Sequence, residues 1–184
     1  MKALRRLRIW ARHAIQHMLQ VKHIHGIADI RHYDARGHLL RVEHLHNIWH
    51  DEGEEYLIKA AFTEETTVPV SFYLGLDARP ALAEGDALAD LVSEPSGSGY
   101  ARVGIASDGT DWTSQQDGGT SDWECVSKTA TFTASGGDWA AQLNIFLATT
   151  TDNSGKLLSS MALSASRTIL DGESLACTYT VRID

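Results

Sequence analysis

The chain has 184 residues, 43% of them hydrophobic, with a formal net charge of −8, which excludes a disordered or fibrous protein and suits one domain with an extension. No stretch approaches the roughly 18 apolar residues of a membrane span, and the opening Met-Lys-Ala-Leu-Arg-Arg-Leu-Arg-Ile-Trp alternates arginine with apolar residues where a signal peptide is continuously apolar, so a soluble protein without a signal peptide is expected. Residues 1–50 carry nine Lys/Arg, three acids and all nine histidines, a net of +6, against −14 for the remainder, which implies an acidic partner for the basic end.

Residues 1 to about 21 predict a basic amphipathic helix, the body of an arm over 1–26. Leu4, Leu7, Ala11, Ala14, Ile15, Met18 and Leu19 recur at three- and four-residue steps, while Arg5, Arg8, Arg12 and Gln16 crowd the opposite side. The candidate partner-binding residues are therefore Arg5, Arg6, Arg8 and Arg12, with Leu4, Leu7, Ile15 and Met18. Such a helix can pack on its own domain, enter a groove in a partner, lie on a membrane or track phosphate. Without interleaved aromatics or a recognised fold, nucleic acid is disfavoured.

The rest, 27–184, reads as one β domain. A hairpin is expected over 27–47, with Asp34-Ala35-Arg36-Gly37-His38 forming a three-residue loop that pairs Asp34 with His38. That register puts Ala28, Ile30, Leu40 and Val42 on one face and Asp29, Arg31, Arg41 and Glu43 on the other. It also separates two His-x-His pairs: His44 and His46 go with Ile30, and His23 and His25 go to the other face. The four then do not converge, and no metal site is expected.

Asp51-Glu52-Gly53-Glu54-Glu55 opens a helix over about 50–64, with Asp51 as N-cap and acids near the positive end of its dipole. Tyr56, Leu57, Ala60 and Ala61 supply its buried side. A central strand follows at Ser71 to Asp77, then a long connection with a helical turn near Asp86 to Leu91. Two acidic, Gly-rich turns, Ser107 to Trp112 and Asp117 to Trp123, match no calcium-loop order. Strand-like runs follow at Trp123 to Ser127, Thr129 to Ala134, Ala140 to Thr149, Leu157 to Leu163 and Leu175 to Ile183. Cys125 and Cys177 lie in two of these runs and are expected as buried thiols. Many short strands between turn residues predict a mainly β chain, an antiparallel sandwich or jelly-roll-like domain.

The stretch Glu94 to Ile105, reading Glu-Pro-Ser-Gly-Ser-Gly-Tyr-Ala-Arg-Val-Gly-Ile, is a loop that enters a sheet, because Pro95, Gly97 and Gly99 forbid a helix and β-favouring residues follow. With Ser71 to Leu76 before it, and Leu163 to Ser166 and Gly172-Glu173 ahead of the last strand, it resembles a signature of small virion structural proteins of tailed bacteriophages. In that family an acidic residue, a Ser/Gly-rich loop and Gly-Tyr-Ala-Arg lead into a central strand. The resemblance implies a minor tail, neck-associated or head-decorating subunit in the virion, whose partners are other virion proteins and copies of itself.

Catalysis has little support. There is no Gly-x-Ser-x-Gly elbow, Walker A loop or His-Glu-x-x-His, and the histidines lie outside the segments of both cysteines. No enzyme, cofactor, metal or small-molecule substrate is expected. The leading expectation is a non-enzymatic virion subunit docking through its basic N-terminal region. The alternative is a module that recognises a host surface, with Trp112, Trp123 and Trp139 in polar loops as carbohydrate-stacking platforms. Arg102 is expected to make a buried ion pair.

Overall fold

The computed structural model describes residues 24–80, 82–120 and 122–183. The expected helical arm, with Leu4, Arg5, Arg6, Leu7, Arg8, Arg12, Ile15 and Met18, lies outside the described residues, as does His23. The described chain is mainly β, in two antiparallel sheets. In the first, β1 (Ile24–Tyr33) lies between β2 (Leu39–His46) and the last strand, β11 (Ser174–Ile183), which is followed by β7 (Trp123–Ser127) and β6 (Trp112–Gln116), and β8 (Ala130–Thr133) also pairs with β11. The second runs β3 (Ile48–Trp49), β10 (Leu157–Ile169), β9 (Trp139–Ala148), β4 (Ser71–Asp77), β5 (Val103–Ala106).

Strand patterning explains the layering. β11 alternates, burying Leu175, Cys177 and Tyr179, as a strand with one covered face does. β9 instead has a continuous buried run, Ile145 to Ala148. Its Ile145 and Leu147 join the main core, together with Ala28 and Ile30 of β1 and Leu74 and Leu76 of β4, so both sheets contribute to one buried cluster. Its Phe146 and Ala148 face the other way, under Leu88 and Leu91 of the long connection, which turns through a 3-10 helix at Leu88–Asp90.

Several elements depart from the expected ones. The hairpin loop forms as expected: Asp34 N–H donates to His38 O at 2.9 Å, and Gly37 has φ +81°. Tyr33 then pairs with Leu39, but His32 pairs with Arg41, so Leu40 is an extra residue in β2. This one-residue bulge inverts the expected faces of β2 beyond the turn. Leu40 and Val42 are 53% and 55% exposed, while Glu43, opposite Ile30, is buried.

The helix α1 (Asp51–Ile58) continues through a π-helical turn, Lys59–Thr63, and ends at Glu64 with φ +55°. Its N-cap is His50, not Asp51, which is already the first helical residue. Ala61 is exposed. At Gly53 a Cβ would lie 2.2 Å from Leu158 O, so α1 rests backbone to backbone on β10. The strand after Gly-Tyr-Ala-Arg begins only at Val103 and is a sheet edge, not central. The expected acidic turn from Ser107 and the one from Asp117 flank an unforeseen strand, β6.

Candidate functional site

The loop at 94–102 is held by its own side chains. Gly97, Ser98 and Gly99 all have positive φ, at +73°, +46° and +77°, a reversal that two glycines make affordable. It brings Ser98 O to the N–H of Ser135 and the indole N–H of Trp139, each at 2.9 Å. Tyr100 then enters the core, stacked on Phe132 at 6.4 Å and edge-on to Trp139 at 5.4 Å. Its hydroxyl donates to Glu94 Oε2 at 2.7 Å and accepts from Leu76 N–H at 2.9 Å, and burial pushes its pKa well above the ordinary value.

Arg102 closes the network. Its guanidinium lies 5.0 Å over the Phe146 ring and pairs with Glu94 through two contacts, Nε to Oε2 at 3.0 Å and Nη2 to Oε1 at 2.5 Å. Nη1 donates to Thr150 O at 3.0 Å and Asp152 O at 2.6 Å, and Nη2 also donates to Asn153 Oδ1. These contacts use all five donors of the group. The expected buried ion pair is present, and it fastens the loop to the 150–153 turn with no N–H left to bind a ligand.

The bulge gathers the histidines that the expected register kept apart. His25, His44 and His46 share the outward face of the hairpin: His46 lies 6.4 Å from His25 and 5.8 Å from His44, ring centre to ring centre. His44 Nδ1 is 2.7 Å from Asp29 Oδ1. Among the described residues, no three His, Cys, Asp or Glu side chains are placed to hold a metal ion.

The other titratable groups are built into the frame. His50 is fully buried, its Nδ1 3.2 Å from Glu84 O and its Nε2 2.8 Å from Ser160 Oγ. A carbonyl can only accept, so Nδ1 carries the proton and Nε2 accepts from the serine. Burial lowers the His50 pKa below 6.5. Glu52 accepts from Leu88 N–H and Leu157 N–H, both at 2.9 Å, and meets Lys156 at 3.2 Å. Burial pushes its pKa up, yet these donors hold it below the usual carboxylate value. Glu173 joins His32 at 3.1 Å to the Leu170 N–H. Glu43 pairs with buried Arg167 and with Arg41 at 2.9 Å. Both cysteines are free, and burial pushes the Cys177 thiol up to about 12.

The three candidate tryptophans do not form one platform. Trp139 is 2% exposed and packs in the core. Trp112 is half-buried, edge-on to Phe72 at 6.2 Å. With Trp49, Leu57, Phe72, Leu147 and Leu158 it lines an apolar cavity of about 240 Å³ between the sheets. Only Trp123 is on the surface, 60% exposed, directly paired with Ile183, which pairs in turn with Ile24. That apolar row was not legible in the sequence, because it needs the pairing of strands far apart in the chain. No helix among the described residues is long and apolar enough to cross a membrane.

A family model described as Podophage GP4 fiber I protein gp80 matches residues 49–180, most of the chain and nearly all of the two sheets except the hairpin. No curated protein matches the chain.

Proposed function

The chain belongs to the podophage GP4 fiber I protein gp80 family, and from that premise we propose that it is a non-enzymatic structural subunit of the phage tail, held in the particle by its basic N-terminal region. The family match over residues 49–180 carries this reading. The two sheets, stacked as a sandwich, serve as an acidic body, and residues 1–23, with six Lys/Arg and no acid, as its basic attachment. Neck-associated and head-decorating positions are the alternatives to the tail for the same structural role in the virion.

The chemistry of the body supports a static role. Its buried acids Glu43, Asp77 and Glu173 are each engaged by a cation, a histidine or backbone N–H groups. A modest affinity per subunit suffices when copies repeat around a symmetry axis. The partners are other virion proteins and copies of this chain.

The test is incorporation of full-length protein into particles, comparing the natural chain with a variant carrying Arg5→Glu, Arg6→Glu, Arg8→Glu and Arg12→Glu. Loss of incorporation by a variant that still folds supports the anchor. Undiminished incorporation overturns it. The alternative, a host-surface or carbohydrate-binding module, is favoured by exposed Trp123, and binding to cell-surface sugar that Trp123→Ala abolishes would establish it.

A further inference from the structure

The cavity between the sheets is walled by apolar side chains. Trp112 and Val181 reach it from the first sheet, Phe72 and Leu147 from the second, and Leu57 from α1. Among the described residues no carboxylate, ammonium or guanidinium lines it. Its volume of about 240 Å³ exceeds the about 150 Å³ of an apolar cavity that takes up benzene, and in proportion holds about ten non-hydrogen atoms.

Two of the lining rings carry a polar hydrogen. The indole N–H groups of Trp49 and Trp112 are buried and have no hydrogen-bond partner among the described residues. An indole nitrogen only donates, so each needs an acceptor, and a buried donor left without one is unfavourable. The lining side chains hold no oxygen. Water is a poor complement, because its own hydrogens then lack acceptors in an apolar wall. A carbonyl or ether oxygen, which accepts and does not donate, meets the need. An anion does not, since burying it without a cation costs more than two N–H groups return.

The aromatic walls narrow the choice. Phe72 stands edge-on to Trp112 at 6.2 Å and to Tyr56 at 6.3 Å, an arrangement that a further ring can join. Trp112 also borders a solvent-facing hollow with Ser107, Asp108, Gly109 and Ser114, which gives a small molecule a way in past the indole.

We propose that this cavity binds a neutral aromatic molecule of about ten non-hydrogen atoms with a single accepting oxygen, an aryl ketone or ether. Its ring lies among Trp49, Phe72 and Trp112, and its oxygen accepts from the indole N–H groups. Bound there it touches both sheets and α1, and a ligand held only by the folded state stabilises that state. The site is a property of the body and goes beyond its role in the particle.

Titration of the full-length chain, isotope-labelled at its five tryptophans, with NMR detection of the indole N–H signals, tests the site. The probes are indanone, indane, which has the same rings without the oxygen, and phenylpropionate, of similar size but charged. Trp49→Phe and Trp112→Phe assign the two signals. Indanone should move both, while Trp139, whose N–H donates to Ser98 O, stays in place. Indane should bind about tenfold more weakly, the worth of one hydrogen bond, and phenylpropionate more weakly still. Val181→Phe, which fills the cavity, should weaken indanone binding by at least about tenfold. If near-UV circular dichroism shows that this variant fails to fold, Cys125→Phe takes its place, and if neither folds the signals of the natural chain decide. Indanone that moves neither Trp49 nor Trp112 overturns the proposal. So does indane or phenylpropionate that binds as tightly as indanone, or undiminished binding to a folded variant with the cavity filled.

Discussion

Arg102 and His50 show how much of the frame rests on single side chains. The guanidinium of Arg102 is forked, and its contacts to Glu94, the two carbonyls and Asn153 come from different directions. Lysine retains the charge but not the fork, so Arg102→Lys should cost about 3 kcal/mol, at the lower end for breaking a buried pair. Urea denaturation measures it, and a loss below about 0.5 kcal/mol, typical of a surface change, would mean that the loop stands without the clamp. His50 adds a pH dependence. Its folded pKa lies below 6.5 because burial disfavours the imidazolium. Above that value both states are neutral and nothing is lost. As pH falls below it the unfolded chain takes up a proton that the folded one refuses, so stability declines with a slope of at most about 1.4 kcal/mol per pH unit. Urea midpoints from pH 7.5 to 5 should show a decline that His50→Gln flattens. Parallel curves for the two proteins would assign the decline to other groups.

At the scale of the element, the hairpin is the most informative case. Alternation in Leu-Leu-Arg-Val-Glu assigns Leu40 and Val42 to the core, yet the bulge turns them outward and brings Glu43 in against Arg167 and Arg41. An edge strand with charge on its inward face is poorly suited to pairing with a second sheet. Leu40→Ser should then change stability by less than about 0.5 kcal/mol, whereas Glu43→Ala, which strands the Arg167 charge, should cost about 3–5 kcal/mol. Thermal or urea unfolding of the two variants checks the register directly, and the opposite order of effects would restore the unbulged hairpin. The helix start is a second case. Asp51 is a good capping residue by type, but Gly53 must touch Leu158 O, which sets the helix one residue earlier and places buried His50 at the cap.

For the whole molecule, the governing property is the division of charge. A segment of net +6 joined to a body of net −14 attracts other copies as well as its own chain, and attraction between exposed charges is screened over about 10 Å at 0.1 M salt and about 3 Å at 1 M. Any self-association driven by the basic N-terminal segment should therefore weaken at least about tenfold across that range. Sedimentation velocity of the full-length chain is the measurement. Association that strengthens with salt would point to apolar contact through the row, not to charge.

The amino-acid sequence alone determined that the chain is mainly β, where most strands and turns lie, that Arg102 is paired, and that basic and acidic character are separated along it. These follow from short-range signals: period-two alternation, glycine and proline at turns, and residue counts. Only the tertiary structure decided the sense of β2, the gathering of His25, His44 and His46, the burial of Trp139 and the apolar row at Ile24, Trp123 and Ile183. Each depends on a bulge or on pairing between residues far apart in the chain. A one-residue shift there moves every side chain to the opposite face without changing the local pattern that a sequence displays.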